Sequence, residues 1–172
     1  EDKKGLKKNS LFGTDVKQEQ DSIENFCEKI KVGINSKQTD EFLVIARIES
    51  LILGKGIEDA LLRGRSYADS GANGVLIHSK DKSEELIFQF VESFKKDFDV
   101  PVIVVPTTYN HVTLDEFKKL GVDIVIYANH LLRSAYPAML NTAEEILKFG
   151  RTQELEKKLM SVKEVINFIP TD

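Results

Sequence analysis

Four pairs of residues in this chain combine a reactive side chain with a position where an apolar run ends. Arg47 and Glu49 close one short apolar run, His78 and Ser79 a second, Thr107 and Thr108 a third, and Asn129 with His130 a fourth. Together they offer a guanidinium, two imidazoles, an amide and several hydroxyls, a donor-rich set suited to a small polyanion. Arginine suits planar carboxylates and phosphoryl groups because its fork donates two parallel hydrogen bonds. Ahead of all four lies the opening EDKKGLKKNS, in which Glu1 and Asp2 precede Lys3, Lys4, Lys7, Lys8, Asn9 and Ser10. It carries no apolar period of two or of 3.6, so it reads as a loop, and loops on rigid scaffolds commonly carry chemistry.

Each residue also has an ordinary reading. The charged opening can be a solvated tail, and Lys3, Lys4 and Lys8 read as solvated or hinge positions. Arg47 can pair with Glu49 or Asp123 as a structural ion pair, and His78 can be a buried histidine satisfied by a carbonyl. Asn129 and His130 can cap the helix that follows. Thr107 and Thr108, after Pro106, suit a turn and a wall better than catalysis. No Walker loop, Gly-x-Gly-x-x-Gly turn, serine nucleophile elbow or Cys-x-x-Cys pair is present.

The elements that must hold these groups follow from periodicity. A helix is expected over residues 21–32, with Asp21 and Glu24 as a capping-box-like D-x-x-E and Gly33 as its end. Residues 42–48 (FLVIARI) read as a strand buried on both faces. A helix over 57–70 with Gly71 at C′, a strand over 74–78, a helix opened by Ser83 and a strand over 100–105 come next. Thr113 and Glu116 form a capping box for a short helix that Gly121 closes before a strand over 122–127. The chain then turns helical. A turn begins at 131–134, Pro137 suits the first position of a new helix running to Phe149 and Gly150, and Leu155 and Leu159 lie in a further segment. Ser161 and Glu164 cap the last helix, over 161–168.

Strands alternating with amphipathic helices specify an α/β fold with a parallel sheet. An open doubly wound sheet would be complete at 172 residues, whereas a (β/α)8 TIM-type barrel takes about 250. Every strand here ends in polar groups, which a barrel mouth requires and an open sheet needs only at its switch point. The expectation is therefore half of such a barrel. It divides into a loop at 1–20, βα units at 21–130 and helices at 131–172. The chain opens on Glu rather than Met, which fits a missing start.

Composition narrows the function classes. The chain is 41% hydrophobic and 30% charged, with a net charge of −4 and a pI near 5.5. No basic stripe interleaved with aromatics suggests a nucleic-acid surface, and no apolar run approaches a membrane span. The lone Cys27 sits on an apolar helix face as inert core, and the absence of a disulfide framework points to a reducing, cytoplasmic setting.

The opening string fits E-D-K, five residues, N-S, and so resembles the signature of phosphoenolpyruvate mutases in the isocitrate lyase and phosphoenolpyruvate mutase superfamily. IARIES at 45–50, GANGVLIHSK at 71–80, VPTTY at 105–109, YANHLLR at 127–133 and SVKEVI at 161–166 are similar to further family segments, in family order. The resemblance implies an α/β barrel with Glu1 at the end of the fourth strand, so that this chain would be its C-terminal half, strands five to eight plus C-terminal helices. It implies a Mg²⁺ cofactor held in part by Glu1, through water, with the main ligands outside this chain. It places Lys7, Asn9 and Ser10 on a gating loop against a small-molecule substrate and puts Arg47 and His78 in the pocket, with Asn9, Arg47 and His78 catalytic. The implied reaction is the interconversion of phosphoenolpyruvate and phosphonopyruvate by a homo-oligomer whose last helices pack on a neighbouring subunit. Phosphonopyruvate hydrolases share most of these motifs but tend to carry Thr where this chain has Asn9. The superfamily's carbon–carbon lyases have a cysteine-bearing gating loop, which this chain lacks. A non-catalytic α/β module is the remaining alternative.

Overall fold

The computed structural model describes residues 1–5 and 18–169 and divides into two compact units, Glu1–Ala128 and Asn129–Asp172. In the first, a two-residue antiparallel ladder pairs β1 (Lys3–Lys4) with β2 (Glu19–Gln20), Lys3 opposite Gln20. Then α1 (Ile23–Asn35), β3 (Ile45–Ile48), α2 (Gly56–Asp69), β4 (Gly74–Ile77), α3 (Glu85–Phe94), β5 (Val102–Val104), α4 (Leu114–Leu120) and β6 (Ile124–Val125) alternate. The four later strands form one parallel sheet in the order β3-β4-β5-β6. The expected α/β class with a parallel sheet is present.

Side chains alternate across a pleated strand, so each face of the sheet carries its own set. Ala46, Ile48, Val75, Ile77, Val102 and Val104 join Phe26, Ile30, Leu61, Ile87, Phe90 and Phe94 from the helices in one buried core. The register aligns Arg47, Leu76, Ile103 and Ile124 in a row on the other face. On α3 the apolar spacing buries Ile87, Phe90, Val91 and Phe94, and the rings of Phe90, Phe94 and Phe98 stack at 5.5 and 5.2 Å.

The helix signals in the sequence act largely as expected. Thr113 and Glu116 complete a reciprocal capping box at α4, and Gly121 ends that helix at φ +96°, a conformation that a side chain would strain. Gly71 follows α2 at φ +94°. Cys27 is partly buried against the core, its thiol 3.5 Å from the Ser66 carbonyl.

Several boundaries differ, each for a local reason. The N-cap of α1 is Ser22, whose Oγ accepts from the Asn25 N–H; Asp21 is committed instead to Lys29, Asn25 and the Ser22 N–H. The helix passes through Gly33, which has no left-handed φ, and ends at Asn35, where the N–H of the C-cap Ser36 bonds the Val32 carbonyl. Phe42 and Leu43 fall outside β3 and are 64% and 56% exposed, and within β3 only Ala46 and Ile48 are buried while Ile45 and Arg47 are half-buried, so the expected burial on both faces is incomplete. Glu84 rather than Ser83 occupies the N-cap of α3.

The second unit contains α5 (His130–Phe149) and α6 (Val162–Ile166). Pro137 lies inside α5 rather than at the start of a new helix. The helix continues through it and forgoes one main-chain bond, since proline has no N–H to offer the Arg133 carbonyl. Ser161 and Glu164 form the expected capping box at α6. No residue of α5 is buried, and Leu131, Leu132, Tyr136, Met139 and Leu147 are exposed.

Candidate active site at the carboxyl edge of the sheet

Main-chain hydrogen bonds bring the opening motif to the end of β3. The Asp2 N–H donates to the Arg47 carbonyl at 3.1 Å, and the Asp21 N–H donates to the Asp2 carbonyl at 2.8 Å. Glu1, Asp2 and Lys3 therefore run alongside Arg47, Ile48 and Glu49, and the ladder of β1 with β2 fixes the return of the chain. Glu1 and Arg47, chosen from sequence, come together: Glu1 Oε2 lies 3.5 Å from Arg47 Nε.

Asp2 is the anchor of this arrangement. Its side chain is fully buried; Oδ1 accepts from the Glu49 N–H at 2.9 Å, and Oδ2 accepts from Tyr67 Oη at 2.7 Å and Gln20 Nε2 at 2.8 Å. Arg63 Nη1 adds a bond to Oδ2 at 3.2 Å and also donates to the Asp21 carbonyl. A buried charge is tolerated when paired and hydrogen-bonded, as this one is. Burial, then the charge of Asp2, push the Tyr67 phenol far above its usual range, so it remains a donor. Burial works against the Arg63 cation, but Tyr67, Asp2 and Asp59 outweigh it and raise its pKa. Ser50 Oγ donates to Asp59 at 2.6 Å and accepts from Gln20 Nε2 at 3.1 Å, so β2, α2 and the end of β3 share one polar network.

Arg47 sits at the rim of that network. Its Nε donates to Glu49 Oε1 at 2.6 Å, which matches one of the pairings open to it from sequence. Asp123 is engaged elsewhere, accepting from the Val102 N–H and pairing with Lys95 at 2.8 Å. Those contacts hold its carboxyl below the usual range although burial pushes the other way. His78 directly follows β4, two residues beyond Leu76, which pairs with Arg47; it is buried. Thr108 Oγ1 donates to the Ser79 carbonyl at 2.9 Å, tying the end of β5 to that of β4 in the wall role expected of it.

Other expected site residues are distributed differently. Lys7, Asn9 and Ser10 lie outside the described residues. Asn129 and His130 belong to the second unit, where Asn129 takes the N-cap position of α5 at φ 50° without a capping bond from its side chain. Lys3 is not solvated as expected. Its side chain is only 3% exposed and its Nζ lies 3.0 Å from Glu49 Oε2. Asp2, Arg63, Tyr67 and Gln20 were missed as site supports. The signal available was the spacing of Asp59, Arg63 and Tyr67, one polar residue per helical turn on the face of α2 that also carries apolar core.

Among the described residues no group of three or more acidic, histidine or cysteine side chains could hold a metal ion. Glu1 supplies a partly exposed carboxylate at the edge, an oxygen donor of the type that hard divalent cations take.

A parallel sheet that gathers a carboxylate and an arginine at its strand ends defines an α/β protein, and its carboxyl edge is the candidate site. Comparison with known proteins specifies which. A family model described as phosphoenolpyruvate phosphomutase matches residues 1–147, and the chain belongs to that family. It is 41% identical over 165 residues to the phosphoenolpyruvate phosphomutase of Tetrahymena pyriformis, covering 96% of this chain and 54% of that protein. It is 40% identical over 164 residues to the phosphonopyruvate hydrolase of Variovorax sp. strain Pal2, covering 95% and 56%. The crystal structure of a phosphoenolpyruvate phosphomutase from Streptomyces platensis subsp. rosaceus superposes with a TM-score of 0.90 at 38% identity, covering 96% of this chain and 56% of that one. The chain spans about half the length of the curated relatives it matches.

Proposed function

We propose that the full-length protein is a Mg²⁺-dependent phosphoenolpyruvate mutase and that this chain forms the C-terminal half of its (β/α)8 barrel. The observation that carries this reading is Arg47: a guanidinium at a strand end, braced by Glu49 and facing Glu1 of the E-D-K motif. The reaction breaks the bond between phosphorus and the enol oxygen of phosphoenolpyruvate and forms one between phosphorus and the methylene carbon, leaving a ketone. Phosphoryl transfer commonly passes through a loose, metaphosphate-like state, so catalysis consists mainly of positioning and charge stabilisation. Arg47 and His78 would hold the phosphoryl oxygens while the enolate presents its carbon. Asn9, with Lys7 and Ser10, would keep the transferring group from water; these three enter from the motif alone. Bound Mg²⁺ would neutralise the enolate and carboxylate end of the substrate, with Glu1 holding it through water and the main ligands lying outside this chain.

Membership in the same family as the hydrolases makes phosphonopyruvate hydrolysis the second reading, and Asn9 in place of Thr favours the mutase. We further propose a cytoplasmic homo-oligomer, consistent with the exposed apolar side chains of α5. The reaction reading is tested by supplying the full-length protein with phosphonopyruvate. Phosphoenolpyruvate is the expected product, and pyruvate plus phosphate would assign the hydrolase instead.

A further inference from the structure

Glu49 has two cations on its two oxygens. Arg47 Nε donates to Oε1 at 2.6 Å, and Lys3 Nζ lies 3.0 Å from Oε2. The carboxylate is fully buried, Lys3 is 3% exposed, and Arg47 alone of the three reaches solvent, at 25%. The Lys3 contact is an ion pair without hydrogen-bond alignment, and among the described residues neither Lys3 Nζ nor Glu49 Oε2 has a hydrogen-bond partner. A buried ion pair whose facing atoms lack hydrogen-bond alignment carries a desolvation penalty that its attraction offsets only in part. The carboxylate is nevertheless held in place from below: its own main-chain N–H is fixed by Asp2 Oδ1 at 2.9 Å, and Asp2 is fixed by Tyr67, Gln20 and Arg63.

We infer that Glu49 and Lys3 are positioning residues, a buried pair that fixes the guanidinium of Arg47 for the substrate; this rests on Arg47 facing substrate as proposed above. Glu1 is the competing partner, 3.5 Å from the same Nε. With Glu49 in place, Arg47 is held on its strand rather than drawn fully to Glu1. Lys3 balances the second oxygen, so Glu49 does not take up the whole charge of the arginine. A misplacement of about 1 Å in such a group can slow a reaction roughly 100-fold. Both side chains are buried while Arg47 reaches solvent, so their effect is expected to pass through Arg47.

The test is a double-mutant cycle in the full-length protein. The product formed by the wild type from phosphonopyruvate is identified first; that result decides the functional reading independently, and the cycle then uses whichever substrate the wild type turns over. Glu49→Gln is expected to lower kcat roughly 10- to 100-fold with a much smaller change in KM, and Lys3→Gln to act in the same direction. Combined with Arg47→Ala, neither variant should lower the rate further, because their contribution is already lost with the arginine. A Glu49→Gln variant within twofold of wild type, or losses that multiply in the double variant, would overturn the inference. Should Glu49→Gln fail to accumulate as folded protein, Glu49→Asp, which keeps the charge but withdraws it by one methylene, carries the same cycle with the same two outcomes.

Discussion

Arg47 can be judged by its neighbours more readily than by its own exposure. It lies near the end of β3, contacts Glu49 just beyond that strand, and meets Glu1 across a main-chain bridge. Removing one donor that stabilises transition-state charge typically costs about 3 kcal/mol. Arg47→Ala in the full-length enzyme is therefore expected to lose roughly 100-fold in turnover, measured as initial rates at saturating substrate; unchanged turnover would remove Arg47 from the site. The pairing of Arg47 with Glu49 was legible because i and i+2 share a face of a strand. Lys3 was not, since a lysine among lysines carries no sign of which one is buried. That sign lies in Glu49, 46 residues away along the chain.

Asp21 shows the same limit. As part of a D-x-x-E string it suggests a cap, yet it binds Lys29, Asn25 and the Ser22 N–H, and these outweigh its burial, lowering its pKa from 3.8 to about 2. A carboxyl whose folded pKa is depressed stabilises the fold above its unfolded value and loses that contribution as pH falls toward the folded one. Thermal midpoints should fall between about pH 4 and pH 2 in part through this residue. Asp21→Asn should flatten that decline; an identical decline in both proteins would show that the group does not carry it.

At the scale of elements, signals that act over three or four residues were the dependable ones. The boxes at Thr113 and Ser161 and the left-handed Gly121 close locally, so neighbouring sequence suffices to specify them. Pro137 failed as a boundary because its effect competes with the whole of α5. The missing bond is one among many in a 20-residue helix. Strand lengths were overread for a comparable reason: Phe42 and Leu43 are apolar but precede the point where Ile45 finds Gly74 as its partner. That partnership makes its own demand. A methyl group on Gly74 would sit 2.8 Å from Ile45 Cδ1, 3.0 Å from Ile103 Cδ1 and 3.2 Å from the Pro101 carbonyl. Gly74→Ala is expected to destabilise the protein by about 1–3 kcal/mol, read from the urea midpoint. An unchanged midpoint would mean that the two isoleucines can move aside.

For the molecule as a whole, periodicity was enough to specify an α/β chain with a parallel sheet, and the structure has that sheet. The family was legible in the E-D-K and N-S signature with its ordered companions, and the family match over residues 1–147 agrees. Much of the candidate site was not legible, because it depends on a polar network joining β2, α2 and β3 that no stretch of sequence contains. The chain also spans about half the length of the curated relatives it matches. In the proposed reaction phosphorus moves within one molecule between oxygen and carbon. Phosphorus NMR of the full-length protein with phosphonopyruvate and Mg²⁺ follows that transfer. The signal of carbon-bound phosphorus should give way to that of the enol phosphate ester, with no inorganic phosphate accumulating; inorganic phosphate appearing in step with pyruvate would contradict the mutase assignment.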